Sequence, residues 1–89
     1  MYELGSQTRR SAQSVRANIV EGYGRRKYKA DFIKFLIFAE GSLLETESHL
    51  EMVKELYLDI EVNQLLEKYS QLGKQVNKFI QYVETNWRT

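Results

Sequence analysis

The chain has no cysteine, no proline and a single histidine among its 89 residues. Without cysteine it can form neither disulfides nor thiolate metal sites, so packing and assembly must stabilise the fold. Without proline it lacks the strongest helix breaker, and no segment shows the alternation of apolar and polar residues that is typical of a strand. Apolar residues recur instead at helical spacing from Phe32 to Trp87. These features predict an all-α protein.

Long apolar runs are also missing. The longest, residues 35–39, is far too short to span a bilayer, and the N-terminus lacks a basic stretch followed by an apolar run. A chain of 89 residues buries only about 60% of the surface that its unfolded form exposes, so it can support one core. We therefore expect a single cytoplasmic domain over residues 1–89, without membrane contact.

The apolar pattern and the glycines divide this domain into helices at about residues 6–21, 29–56 and 60–86. Gly22 is expected to end the first helix by adopting a positive φ, and Gly24 to keep the next turn open. Asp59 is expected to cap the third helix. The GYGRR turn lacks the length and the GK[ST] ending of a phosphate-binding P-loop. The second and third helices should form a hairpin within an antiparallel helical bundle.

The two longer helices carry heptad stripes of apolar side chains. In the second helix the stripe is Phe32, Leu36, Ala39, Leu43, Thr46, Leu50, Val53 and Tyr57, and Ile33, Ile37 and Leu44 add another. In the third it is Val62, Leu65, Tyr69, Leu72, Val76, Phe79, Val83 and Asn86. Residues 32–39 are thus apolar almost all round, which implies a partner surface.

Gly41 lies in the middle of the second predicted helix, where glycine costs about 1 kcal/mol relative to alanine. A close approach of another backbone would explain it. This glycine and the apolar side chains on almost every face of residues 32–39 together predict a homo-oligomer. The predicted oligomer contacts are Phe35, Phe38, Gly41, Ser42, Glu45 and Glu47.

The net charge of +1 hides an asymmetry between the two parts of the chain. Residues 1–34 carry eight basic and three acidic side chains, a net +5, whereas residues 35–89 carry five basic and nine acidic ones, a net −4. Such a split serves either nucleic-acid binding by the basic part or contacts between basic and acidic faces of neighbouring subunits. Charge alone does not choose between these alternatives.

The basic part contains the best candidate for a nucleic-acid interface. Arginine and lysine neutralise phosphates, while tyrosine rings stack on unpaired bases. The candidate residues are Arg9, Arg10, Arg16, Tyr23, Arg25, Arg26, Lys27, Tyr28, Lys29 and Lys34. The alternative is a solvated or inter-subunit charge face.

Catalytic and metal sites have little support in the sequence. His49 lies near Glu45, Glu47 and Glu51, but a di-iron bundle needs Glu-x-x-His pairs and position 46 is threonine. Hydroxyl side chains such as Ser11 and Ser14 have no histidine at a plausible sequence distance. Asn18 and Glu21 are interpreted as a hydrogen-bonded helix end, with Glu21 paired to Arg25, rather than as a substrate site. We expect no catalytic residue, metal, cofactor or small-molecule substrate.

About half of the chain resembles a known family. The matching residues are Ser6, Gln7, Arg9, Arg10, Ala17, Asn18, Ile19, Glu21, Gly22, Gly24, Arg25, Arg26, Phe32, Ile33, Phe35, Leu36, Gly41, Ser42, Leu43, Glu45, Glu47 and Leu50. This pattern resembles the 23S rRNA-intervening sequence proteins, bacterial four-helix bundles of poorly defined role. The resemblance implies ring-shaped homopentamers. It also implies that these three helices correspond to the last three of four, leaving open the groove that a fourth normally fills.

One residue departs from the family pattern, because Arg16 stands where the family usually has proline. The first helix is therefore expected to run straighter than in relatives. Taken together, the residues and the resemblance predict a non-enzymatic oligomeric scaffold. It would contact RNA or ribonucleoprotein through the basic turn at residues 25–29 and the Arg9-Arg10 face. The alternative is a protein-interaction module with inter-subunit charge pairing and no nucleic-acid role.

Overall fold

A computed structural model describes residues 2–88, except for the side chain of Tyr2. Within that range the chain forms three α-helices and no strand, which confirms the predicted all-α class. The helices are α1 (Tyr2–Gly24), α2 (Lys29–Leu56) and α3 (Asn63–Asn86). None of them is long and apolar enough to cross a membrane, as judged over the described residues.

The first helix extends past both of its predicted ends and contains Gly22 and Gly24. The prediction that Gly22 ends the helix with a positive φ is wrong, since no described glycine has a positive φ. Gly22 is instead buried where α1 approaches α2. A Cβ at this position would lie 3.0 Å from the Phe35 Cβ and 3.4 Å from the Phe32 carbonyl oxygen. Glycine is needed here for helix packing rather than for a turn.

The second helix has the predicted bounds and buries the predicted heptad stripe. Its buried residues are Phe32, Leu36, Ala39, Leu43, Thr46, Leu50 and Val53. This stripe is buried because both other helices pack against α2. The second stripe stays largely uncovered, with Ile37 and Leu44 exposed. Periodicity therefore located the packed side of α2 correctly.

The third helix begins at Asn63, later than the predicted residue 60. The prediction that Asp59 caps it is wrong, because Val62 occupies the N-cap position and makes no side-chain cap bond. Ile60 and Val62 pack instead against Leu50 and Val53 of α2. Because these two apolar side chains pack against α2, residues 60–62 belong to the connection between α2 and α3, and the helix begins at Asn63.

Both α1 and α3 pack on α2, but they do not pack closely on each other. No Cα atom of α1 comes within 8 Å of a Cα atom of α3. The Cα atoms extend over 49 × 21 × 12 Å, so the described chain is a thin layer with α2 in the middle. Neighbouring helices run in opposite directions: Ser11 of α1 meets His49 of α2, and Lys29 of α2 meets Glu84 of α3.

Apolar packing forms two clusters along α2. The larger joins all three helices through Val15, Phe32, Leu36, Leu43, Val76, Ile80 and Val83. The smaller, around Leu50, Val53 and Val62, lies at the other end, and Tyr69 packs against both. Leu65 and Phe79 of the predicted α3 stripe stay exposed, because none of the helices described over residues 2–88 covers that side of the layer.

Candidate nucleic-acid interface

One end of the layer joins the α1–α2 turn to the C-terminal end of α3. The Trp87 indole Nε1 donates a hydrogen bond of 2.7 Å to the Arg26 carbonyl oxygen, and the Trp87 ring packs edge-on against Phe32 at 5.2 Å between centroids. The Lys29 Nζ donates to the Glu84 carbonyl oxygen at 2.7 Å. These contacts hold the basic turn and the end of α3 together as one surface.

An open cleft of about 650 Å³ lies on this surface, which we call the turn cleft. It is lined by Gly24, Arg26, Lys27, Asn86, Trp87 and Arg88. Arg26, Lys27 and Arg88 are exposed, whereas Trp87 is half-buried. Three cations therefore line the cleft together with an aromatic side chain, a combination suited to phosphate and base contacts.

Sequence reasoning missed Trp87 and Arg88. Both lie more than sixty residues from the turn at Gly24, so local patterns could not link them to it. The predicted hairpin of α2 and α3 could have placed both residues at the basic turn. If α2 begins near Lys29 and α3 runs back along it, the residues after Asn86 must reach the basic turn.

The two arginines of the turn have different surroundings. Arg25 forms an ion pair with Glu21, as predicted, and its guanidinium lies 4.8 Å from the centroid of the Phe35 ring. Arg26 lies over the Tyr23 ring at 3.9 Å and donates to the Tyr23 carbonyl oxygen at 2.9 Å. One face of the Tyr23 ring is therefore covered by a cation. Tyr28 has 62% of its surface exposed.

The other predicted basic residues do not join the turn cleft. Arg9 and Arg10 lie on α1 about 21 to 23 Å from Gly24 at its end, taking 1.5 Å of helix rise per residue. Arg16 lines a separate groove between α1 and α3. Lys34 lies on α2 near Phe35 and Phe38, with its Nζ 5.8 and 5.9 Å from the two ring centroids. The predicted residues are therefore spread over several surfaces, and of them only Arg26 and Lys27 line the turn cleft.

Polar side chains hold α1 against α2. Ser14 Oγ and Ser42 Oγ share a hydrogen bond of 2.9 Å, and Thr46 Oγ1 lies 2.9 Å from Ser11 Oγ, to which it donates. Asn18 Nδ2 donates to the Ser14 carbonyl oxygen at 2.9 Å, so Asn18 is hydrogen-bonded as predicted, but it lies within α1 and not at the predicted helix end. No described buried side-chain nitrogen or oxygen lacks a hydrogen-bond partner.

His49 belongs to this polar contact as well. Its Nδ1 lies 3.3 Å from Ser11 Oγ, so the prediction that the N-terminal serines have no histidine partner is wrong for Ser11. Ser11 is only 5% exposed and its hydroxyl also donates to the Thr8 carbonyl oxygen, so the pair is enclosed by the helix contact. Among the described residues no three His, Asp or Glu side chains come together as metal ligands.

The predicted oligomer contacts divide between two sides of α2. Phe38, Gly41 and Glu45 are exposed, and a Cβ at Gly41 would meet no described atom within 4 Å. The close approach predicted at Gly41 is therefore not made within the chain. Ser42 is bonded to α1, and Glu47 Oε1 lies 3.9 Å from the position of a Cβ on Gly73 of α3. Phe35 is half-buried against Arg25.

Over residues 2–88, the fold and this end surface define an all-α protein of three helices with a basic, aromatic cleft where the helix ends meet. The family model described as "23S rRNA-intervening sequence protein" matches residues 1–78. The chain therefore belongs to that family, as its central residues predicted. No curated protein and no solved structure matches it.

Proposed function

We propose that this protein is a non-enzymatic, cytoplasmic scaffold that binds single-stranded RNA through the turn cleft. The observation that carries the proposal is the convergence of Arg26, Lys27 and Arg88 around Trp87, from two segments far apart in sequence. Exposed cations contribute most of the affinity for a phosphate backbone, and an aromatic ring beside them adds stacking. The proposal assigns no catalytic step to the chain.

The turn cleft is a more specific candidate than the whole basic set. Arg25 is paired with Glu21, and Lys29 is bonded to the end of α3, so both have contacts within the chain. Arg26 also contacts Tyr23 but stays exposed at the cleft, as do Lys27 and Arg88. Three phosphate contacts on a single strand predict that the logarithm of the binding constant falls by about 2 per tenfold increase in salt.

The scaffold part of the proposal is a homo-oligomer, for which the resemblance favours a ring of five chains. Its support is the amount of apolar surface left uncovered on both sides of the layer. Val20 and Leu44, on different helices, are 61% and 64% exposed. An exposed apolar surface of this kind is typical of protein interaction sites. It also supports the alternative, a protein-interaction module without an RNA role.

Binding of a short fluorescein-labelled oligouridylate, followed by anisotropy at several salt concentrations, tests the RNA proposal. The triple variant Arg26→Ser, Lys27→Ser, Arg88→Ser should lose binding. The matched control Lys54→Ser, Lys74→Ser, Lys78→Ser removes the same charge from exposed positions elsewhere and should retain most of it.

Two results would overturn the RNA proposal. If the parent protein does not bind the oligonucleotide, the interaction-module alternative replaces it. If both triple variants lose affinity equally, net charge rather than the turn cleft is responsible. Circular dichroism of each variant establishes that the helices are retained.

A further inference from the structure

Arg26 is held in place at the turn cleft by contacts of both its side chain and its main chain. Its Cζ lies over the Tyr23 ring, 3.9 Å from the centroid, and its Nη1 donates a hydrogen bond of 2.9 Å to the Tyr23 carbonyl oxygen. Its main-chain N–H donates to the same oxygen at 3.2 Å, and its own carbonyl oxygen accepts from Trp87 Nε1 at 2.7 Å. Tyr23 and Trp87 therefore fix Arg26 on this surface.

The contact with Tyr23 leaves one side of the Arg26 guanidinium open. A guanidinium is planar, and the Tyr23 ring covers one of its two faces. Arg26 is exposed and lines the turn cleft, so the opposite face is accessible from the cleft. We call Tyr23 and Arg26 the stacking pair. The pair presents a flat, positively charged surface to a ligand.

The other cations near the cleft are placed differently. Arg25 lies 4.8 Å from the centroid of the Phe35 ring, but it does not line the cleft. Lys27 and Arg88 line the cleft and are exposed, and over residues 2–88 neither of them has a ring beneath it. A cation that only neutralises a phosphate needs no such ring. The ring beneath Arg26 therefore suits a ligand with a flat face.

We propose that the stacking pair binds an unpaired RNA base, which stacks on the open face of the Arg26 guanidinium. Tyr23 is then a positioning residue that contacts Arg26 and not the RNA. This inference rests on the RNA binding of the proposed function and names the part of the strand that the cleft recognises. Unpaired bases stack on arginine planes as well as on aromatic rings. Neighbouring bases cover both faces of a base inside a duplex, so the pair selects single strands, loops or ends.

The substitution Arg26→Lys removes the flat surface but keeps the charge. Lysine is a point charge on a flexible chain and offers no plane to a base. Stacking contributes about 5- to 150-fold to single-strand affinity, so Arg26→Lys should bind the oligouridylate at least about fivefold more weakly. The salt dependence should not change, because the cleft keeps three cations. Arg88→Lys is the matched comparison in the same cleft and should lose less affinity.

A strand without bases gives a second readout. An abasic oligonucleotide of the same length has the sugar-phosphate backbone but nothing that can stack. The parent should bind it more weakly than the oligouridylate, and Arg26→Lys should bind it as tightly as the parent does. If Arg26→Lys weakens both strands by the same factor, the substitution acts on the cleft as a whole and the inference is wrong.

Two substitutions of Tyr23 test its positioning role. Tyr23 is 58% exposed, so both variants should keep the fold. Tyr23→Phe retains a ring beneath Arg26 and should bind the oligouridylate like the parent, whereas Tyr23→Leu should weaken binding toward the level of Arg26→Lys. The double variant Tyr23→Leu, Arg26→Lys should bind no more weakly than Arg26→Lys alone, because the ring acts through the guanidinium. Additive losses would place Tyr23 in direct contact with the RNA and overturn its positioning role.

These measurements separate the stacking inference from the RNA proposal. If the parent and Arg26→Lys bind the oligouridylate equally, the cleft binds RNA by charge alone, so the RNA proposal stands and the stacking inference fails. Equal losses in Arg26→Lys and Arg88→Lys also overturn the inference, because both guanidiniums would then act on phosphates. If the parent binds neither strand, the RNA proposal fails and the stacking inference fails with it.

Discussion

Gly22 lies where the α1 backbone approaches α2 closely. A Cβ there would lie 3.0 Å from the Phe35 Cβ, tighter than ordinary contact, whereas a Cβ on Gly24 would meet nothing within 4 Å. We expect Gly22→Ala to unfold more easily than Gly24→Ala by about 1 to 3 kcal/mol, the usual cost of overpacking. Urea titrations followed by circular dichroism measure the difference. Equal stability of the two variants would show that α1 can shift away from α2 without cost.

Trp87 fastens the end of α3 to the basic turn through one hydrogen bond to the Arg26 carbonyl oxygen. Trp87→Phe keeps an aromatic ring against Phe32 but removes the N–H donor. We expect it to lower the free energy of unfolding by about 0.5 to 1.5 kcal/mol. Tyr82→Phe, which removes a hydroxyl from an exposed ring of α3, is the matched control and should have little effect. If the Trp87→Phe variant is as stable as the control, the hydrogen bond to Arg26 does not stabilise the fold.

At the scale of elements, the contact between α1 and α2 combines apolar packing with a row of hydrogen-bonded hydroxyls. We call this row the polar seam; it pairs Ser11 with Thr46 and Ser14 with Ser42. Thr46 is fully buried, and its hydroxyl lies 2.8 Å from the Ser42 carbonyl oxygen and 2.9 Å from Ser11 Oγ. Thr46→Val preserves the shape but removes the hydroxyl. We expect a loss of about 0.5 to 1.5 kcal/mol, compared with little change for Thr85→Val on the exposed surface of α3.

A double-mutant cycle shows whether Thr46 and Ser11 act together. Removing both hydroxyls in Thr46→Val, Ser11→Ala should cost less than the sum of the single losses, because the two groups are partners. Strict additivity in the urea titrations would show that each hydroxyl is satisfied separately, within its own helix. In that case the seam does not set the register of α1 on α2.

At the scale of the whole molecule, assembly and RNA binding should reinforce each other. Copies joined in the proposed homo-oligomer would present several turn clefts to one strand, which raises affinity through effective concentration by roughly 10²- to 10⁴-fold. Val20 is 61% exposed on the apolar surface that supports the homo-oligomer, so we expect Val20→Glu to weaken assembly and with it the binding of a long oligouridylate, while a one-site oligonucleotide is unaffected. Equal weakening of both RNAs would place Val20 in the RNA contact itself.

The sequence by itself determined the class of fold, the bounds of α2 and its packed side. These follow from local physics: the heptad stripe from Phe32 to Val53 can be buried only on one face of a continuous helix. It also determined the family, because the matching residues cluster in one stretch. The pairing of Glu21 with Arg25 was predictable for the same reason, since side chains four residues apart meet on a helix.

Only the tertiary structure decided the role of Gly22, the start of α3 and the membership of the turn cleft. Gly22 was predicted as a helix end because its neighbours in sequence permit that, but its buried contact with Phe35 comes from another helix. Asp59 was a suitable cap, yet burial of Ile60 and Val62 moved the helix start to Asn63. Trp87 and Arg88 join the basic turn because α3 runs back along α2. In each case a contact between residues far apart in sequence outweighed a local preference. Such a contact cannot be predicted from the residues next to either partner in the sequence.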